Sequence, residues 1–185
     1  GFPARYGGRL SSVLEINLKE GNQNEFHGEG AIGLVASKLT LEGPISENTS
    51  FIISGRRTYI DLLAKPFIQS GFEENGQVGG TGYYFYDLNA KVNHKFSDKD
   101  RLYISTYTGK DKFYFDSKEL NDVPADALEF RLGWGNLTTA IRWNHLITPK
   151  LFGNLTATYS NYKFNVLSKF GEEYSNASLN EEFRL

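Results

Sequence analysis

The chain contains no cysteine, which excludes disulfides, thiolate metal sites and a thiol nucleophile. It also lacks any run of about 18 apolar residues, so no membrane-spanning helix is expected. Prolines are few, 5 against 19 glycines in 185 residues, a balance that suits strands and turns. Positive charge is not in excess, because the net charge is -2 and the isoelectric point is near 6.0. That charge balance argues against nucleic acid as a partner.

Motifs that indicate catalysis are missing as well. The sequence has no Ser-His-Asp arrangement, P-loop or dinucleotide fingerprint, so we predict neither an enzyme nor a cofactor. His27, His94 and His145 are scattered without the spacing of metal ligands, and no metal site is expected. Residues 1–5 show no signal peptide. Because the strand pattern described below predicts an exported protein, and such a protein needs a signal peptide, we interpret the chain as an internal or processed segment.

What the chain does have is alternation of apolar and polar residues in about seven stretches of roughly a dozen residues. The clearest stretch is 84–96, where Leu88, Ala90 and Val92 alternate with Asn89 and Lys91. Strands of soluble domains have about five or six residues, whereas a tilted strand needs about nine to eleven to cross a bilayer. Because only alternate residues of such a strand face lipid, the mean hydropathy of -0.43 is no objection. The pattern predicts an all-β fold, an antiparallel transmembrane β-barrel segment.

The connections between these stretches show a second regularity. Short turns are predicted at 45–49, 97–100 and 148–150. Long connections are predicted at 61–81, 116–132 and 167–177, and apolar residues at helical spacing predict a short helix at 60–68. Outer-membrane barrels have this asymmetry between tight periplasmic turns and long outer loops. Aromatic residues make up 15% of the chain, and we expect two interfacial girdles from Tyr83–Tyr86, Phe113–Phe115, Trp134, Trp143 and Phe96.

Four further segments are informative: Arg5–Arg9, Val13–Gly21, Leu39–Ile45 and Ser50–Tyr59. Together they resemble a TonB-dependent outer-membrane receptor, in the subgroup with a carboxypeptidase-regulatory-like extension. The first two segments resemble the end of the family's plug domain, and the last two resemble its second and third barrel strands. The resemblance implies the end of a plug domain in residues 1–21. It also implies that residues 22–185 are the first strands of a barrel of about 22 strands.

The same resemblance implies a location and partners. The location is the outer membrane of a Gram-negative bacterium, and the function is active uptake of a scarce nutrient such as a siderophore, glycan or peptide. The implied partners are outer-membrane lipid, a surface lipoprotein and the TonB energy-coupling protein. The last of these acts through an N-terminal part of the plug that the sequence does not contain.

Polar residues of the alternating stretches are the candidate site. A ligand path along the lumen is expected at Arg56, Asp87, Asn89, Lys91, Asn93, Arg142 and Asn144. Contacts between plug and barrel are expected among Arg5, Arg9, His27, Glu29 and Glu42. A solvated barrel wall without a ligand would give the same pattern. Two other functions stay open, a passive porin or adhesin-like barrel and a soluble β-sandwich that binds carbohydrate.

Overall fold

A computed structural model describes residues 19–119, 128–170 and 173–184, and their side chains in 19–117 and 128–170. The elements in chain order are β1 (His27–Ile32), β2 (Ala36–Ser46), β3 (Thr49–Thr58), α1 (Ile60–Glu74), β4 (Gln77–Lys95), β5 (Asp100–Glu119), β6 (Leu128–Thr148), β7 (Leu151–Phe170) and β8 (Glu173–Arg184). The predicted all-β, antiparallel architecture is confirmed.

The strands form one eight-stranded sheet in which each strand pairs with the next in the chain. All seven pairings are antiparallel. Within the described residues the sheet is open, with β1 and β8 as its two edges. The connections at 47–48, 96–99 and 149–150 lie at one end, which we call the turn end, and the predicted short turns are confirmed. The opposite end, where α1 joins β3 to β4, is the helix end.

The strands are longer than the sequence predicts. β4 to β7 have 19, 20, 21 and 20 residues instead of about a dozen. The extra residues come from the expected long connections: β4 begins at Gln77, β5 runs to Glu119, and 167–177 is almost entirely strand. The prediction of a long loop at 167–177 is wrong, because β7 and β8 pair as far as Phe170 and Glu173.

The pairing register assigns each side chain to a face, because directly opposed residues of an antiparallel ladder point to the same side. Ile53 opposes Ala90, and Val92 opposes Ile104, which opposes Ile141. This side is the apolar face. Its apolar band consists of Leu39, Leu41, Phe51, Ile53, Leu88, Ala90, Val92, Leu102, Ile104, Leu137, Ile141, Trp143, Leu155 and Ala157. The other side is the polar face.

Apart from the Phe26 ring, which lies 6.2 Å from that of Phe51, no other part of the described chain packs on the apolar band. Among the described residues no hydrophobic side chain is buried, and Leu39, Ile141 and Leu155 are 55%, 46% and 66% exposed. A soluble sheet of this size packs its apolar face against a second layer. Here that second layer is not supplied by the described residues.

Helix α1 confirms the helix predicted from apolar residues at 60–68, although it extends to Glu74. It begins directly after β3, where the Tyr59 hydroxyl donates a hydrogen bond to the Gly33 carbonyl and ties the helix start to the β1–β2 connection. The helix packs along β4, and its Phe72 ring lies 6.0 Å from that of Phe115. Within the described residues, no helix has the length and apolar character needed to cross a membrane.

Candidate functional site on the polar face

Ten of the twelve predicted site residues share the polar face. Arg5 and Arg9 lie outside the described residues, so their predicted contacts stay predictions. The remaining ten are His27, Glu29, Glu42, Arg56, Asp87, Asn89, Lys91, Asn93, Arg142 and Asn144, and the register puts them all on this side of the sheet. Seven of them, all but Asn93, Arg142 and Asn144, line one groove of about 440 Å³ between β1 and β4.

An ion pair in the groove joins Arg56 on β3 to Asp87, its direct partner on β4. Arg56 donates from Nε to Asp87 Oδ2 at 2.9 Å, and its terminal nitrogen lies 2.7 Å from the same oxygen. The Asp87 side chain is only 11% exposed, whereas that of Arg56 is 51% exposed. The guanidinium also lies 4.9 Å from the centre of the Phe85 ring. Asp87 therefore fixes the cation while one side of the guanidinium stays accessible.

Both signs of charge line the rest of the groove. Glu29 and Glu42 project from β1 and β2, and Lys38 and Lys91 come from β2 and β4. The Lys91 ammonium lies 5.1 Å from the centre of the Tyr103 ring. Such a surface offers donors and acceptors in alternation, which suits a polar ligand or a polar segment of protein better than an apolar one.

The chain that leads into β1 lies against the polar face. Ser50 donates from Oγ to the Glu20 carbonyl at 3.0 Å, and the Glu20 carboxylate lies 3.5 Å from Arg101. Gly21 has φ +82°, and a Cβ there would lie 2.3 Å from the Phe51 carbonyl oxygen. Beneath this segment Ser50 and Asn93 are only 1% and 2% exposed. Residues 19–21 thus approach the strands from the polar side.

Two buried amide oxygens mark the same face near the turn end. Asn93 Oδ1 and Asn144 Oδ1 have no hydrogen-bond donor among the described residues. An unpaired buried polar atom costs about 1–3 kcal/mol. Arg142, by contrast, is exposed, opposite Tyr103 and Thr156. The three predicted residues outside the groove therefore remain near its margin without forming a common contact.

Towards the helix end the polar face becomes aromatic, which the sequence reasoning missed. The Tyr83 ring lies 6.1 Å from Phe85 and 6.5 Å from Trp134, and Phe113 lies 6.2 Å from Phe130. The rings of Tyr83, Phe113 and Trp134 were expected in an interfacial girdle, but they lie on the polar face with Asp87 and not on the apolar face. Their place in a girdle stays a prediction. The available signal was their spacing within the strand, because Tyr83 and Phe85 continue the face of Asp87 in steps of two.

A carboxylate is built into this aromatic cluster. The Tyr83 hydroxyl donates to Asp111 Oδ1 at 2.5 Å, and this hydrogen bond raises the pKa of Tyr83 to about 12. Tyr83 lies beyond the apolar band, towards the helix end, and its phenol stays protonated at any physiological pH. Rings that stack, together with a fixed hydroxyl and carboxylate, can bind the face of a cyclic ligand and its polar edge at once.

Other predicted aromatics do lie at the turn end of the apolar face. Trp143 is 5.6 Å from the His145 ring, and Phe96 is 4.4 Å from His94. His145 Nδ1 is 2.5 Å from Asp100 Oδ1, which ties β6 to the start of β5. An interfacial role for these rings stays a prediction.

Metal ligands are not gathered within the described ranges, where no group of three or more His, Asp or Glu side chains could hold an ion. Comparisons of the chain with protein-family models, with curated proteins and with solved structures give no match.

Proposed function

We propose that this sheet is part of the wall of an outer-membrane β-barrel and that the whole protein is a TonB-dependent receptor for uptake of a scarce nutrient. The observation that carries the proposal is the apolar band, in which nine of the fourteen side chains are exposed and none is buried, while the opposite face holds paired charges. Exposed apolar patches of this extent are unfavourable in water and mark contact with another apolar phase. A sheet with lipid against its apolar face and water against its polar face avoids this cost.

A plugged receptor is favoured over an open porin by the position of residues 19–21. This segment lies on the polar face, where the Glu20 carbonyl accepts a hydrogen bond from Ser50 and the Glu20 carboxylate lies close to Arg101. The plug domain that the resemblance implies would continue from there into the space that the polar face borders. TonB as the energy-coupling partner and a surface lipoprotein as a second partner belong to the same resemblance.

In the proposed cycle the nutrient first meets the aromatic cluster at the helix end. It then passes along the groove lined by Arg56, Asp87 and Lys91, exchanging hydrogen bonds with charged side chains instead of water. Energy supplied through TonB moves the plug segment and opens this path. The polar wall residues guide the ligand and hold the plug, and they perform no covalent step.

Accessibility of single cysteines tests the membrane placement. Cysteine at Leu88 or Val92, on the apolar face, should react with a membrane-confined maleimide in outer-membrane vesicles that contain the full-length protein. Cysteine at Asn89 or Lys91 should react only with a water-soluble maleimide, because these positions alternate with the first pair. Equal reaction of all four with the aqueous reagent would show a soluble sheet and overturn the proposal.

Electrical conductance separates the receptor from a porin. The full-length protein in a planar bilayer should be closed, because the plug fills the barrel. A steady open current from the unmodified protein would favour the porin instead.

A further inference from the structure

In β1 to β7 the cations of the apolar face are confined to one end of it. Every lysine or arginine that these seven strands place on this face lies on the helix-end side of Leu88 and Leu137. Five of them, Arg57, Lys110, Lys112, Arg131 and Lys163, form what we call the basic fringe, and all five are exposed. The turn end of the same face carries Trp143, His145 and Leu155 instead.

The register aligns the fringe in rows across the sheet. Arg57 opposes Tyr86, Tyr86 opposes Lys110, Lys110 opposes Gly135, and Gly135 opposes Lys163. Three cations therefore stand in one row, two strand spacings or about 9–10 Å apart. The row lies directly beyond the one that contains Leu88 and Leu137, so charge begins where the apolar band ends.

Two glycines, Gly133 and Gly135, leave the backbone without side chains between these cations. A Cβ at Gly135 would lie 3.8 Å from Lys110 Cγ, and one at Gly133 would lie 4.0 Å from Lys112 Cγ. The lysine stems thus flank bare backbone, and a groove of about 650 Å³ opens there. Its lining includes Tyr84, Lys110, Lys112, Arg131, Gly133 and Asp116.

Carboxylates do not neutralise the fringe. Arg131 is paired with Glu129 at 2.7 Å, but no carboxylate of a described side chain lies within salt-bridge distance of Lys110, Lys112 or Lys163. Arg57 and Lys112 lie instead 5.5 and 6.0 Å from the centre of the Tyr84 ring. Even counting Asp116 and Glu129, cations outnumber carboxylates, and like charges this close are stabilised by a bound anion.

We infer that the basic fringe binds the phosphate of a lipid headgroup in the leaflet at the helix end, an inference that rests on the proposed membrane placement. The acyl chains of such a lipid lie along the apolar band, and its phosphate reaches the lysines in the next row. Lysine ammonium groups suit phosphate as compact point charges, and Tyr84 and Tyr86 supply rings at headgroup level. A free anion would use only the charge, whereas a lipid uses the charge and the adjoining apolar side chains.

The test compares lipid binding by the full-length protein in detergent, measured by native mass spectrometry with diphosphoryl lipid A and with its dephosphorylated form. The unmodified protein should bind the phosphorylated lipid, and the variant K110Q/K112Q/K163Q should bind about tenfold less. The matched control K99Q/K150Q removes charge at the turn end and should bind normally. The charge-preserving variant K110R/K112R/K163R should retain binding, which separates loss of charge from loss of fold.

Three results would overturn the inference. They are equal binding of both lipid forms, undiminished binding by the glutamine variant, and full displacement of the lipid by millimolar inorganic phosphate. The last would show a site for free phosphate. Cysteine labelling at Leu88 measures membrane contact independently of lipid binding. If the labelling shows membrane contact but the protein does not prefer the phosphorylated lipid, only this inference fails. If the labelling shows no membrane contact, the proposed function fails as well.

Discussion

Gly21 and Gly71 are two glycines whose replacement by alanine should have opposite effects. At Gly21 the backbone has φ +82° and a Cβ would lie 2.3 Å from the Phe51 carbonyl oxygen. Gly21→Ala should lower the free energy of unfolding by about 1 kcal/mol or more. Gly71, inside α1, has nothing within 4 Å of the position of a Cβ, and Gly71→Ala should raise stability by about 0.5–1 kcal/mol. Urea titration of the full-length protein in detergent measures both, and two changes of the same sign would contradict the expectation.

Arginine substitutions on the two faces of β6 distinguish lipid from water. Ile141 lies in the apolar band and is 46% exposed, whereas Thr138 lies on the polar face and bonds to Ser160. Ile141→Arg should destabilise the protein folded in lipid vesicles by about 2 kcal/mol, since a charge near mid-bilayer loses its hydration. Thr138→Arg should cost much less. Equal losses at both positions would mean that neither face meets lipid.

At the scale of elements, the four long strands change character along their length. Near the turn end, β4 presents Val92 to one side and Asn93 to the other. Towards the helix end the same two faces carry Tyr84 with Lys112, and Tyr83 with Phe113. Apolar and polar sides are thus exchanged within one strand. In the proposed barrel wall these strand extensions would lie beyond the bilayer, where a polar exterior and an aromatic interior are both tolerated.

Protease sites inserted at the two ends test the direction of the strands. A tobacco etch virus protease site after Asn75, in the turn that follows α1, should be cut when the protease is added to intact cells. The same site after Asp98, at the turn end, should be cut only after the outer membrane is opened, because short turns of such barrels are periplasmic. Cleavage of only the second site in intact cells would invert the orientation.

For the whole molecule, the open sheet is the dominant feature. β1 and β8 are the edges of the described sheet, and edges with free backbone groups pair with other chains. The apolar band adds a second reason for association, since most of its side chains are exposed and none is buried. In a closed barrel surrounded by lipid, the edge strands would be paired and the apolar band would be covered by lipid.

The 185-residue chain expressed alone and purified without detergent should therefore associate. Light scattering should give a mass far above 20.9 kDa, and detergent should reduce it. The full-length protein in detergent is the control and should have a single, defined mass. A soluble monomer of the short chain that unfolds cooperatively would contradict the barrel and support an independent β-domain.

The sequence by itself determined the strand type, the positions of the short turns and the face on which the candidate site residues lie. These are local properties: a period of two puts Asn89 and Lys91 on one side, and a two- to four-residue turn forces neighbouring strands to be antiparallel. All ten predicted site residues that are described therefore share a face. The sequence did not determine where the strands end. At Tyr83 and Tyr84, two aromatic residues follow one another on opposite faces, so apolar and polar residues no longer alternate there.

Only the tertiary structure decided which residues are neighbours across the sheet. The pairing of Arg56 with Asp87, the contact of Tyr83 with Trp134 and the row that joins Arg57 to Lys110 depend on the register of ladders between strands distant in sequence. A shift of one residue would move every side chain to the opposite face. Register is fixed by the sum of all the contacts along a ladder, so no single segment of the sequence contains it.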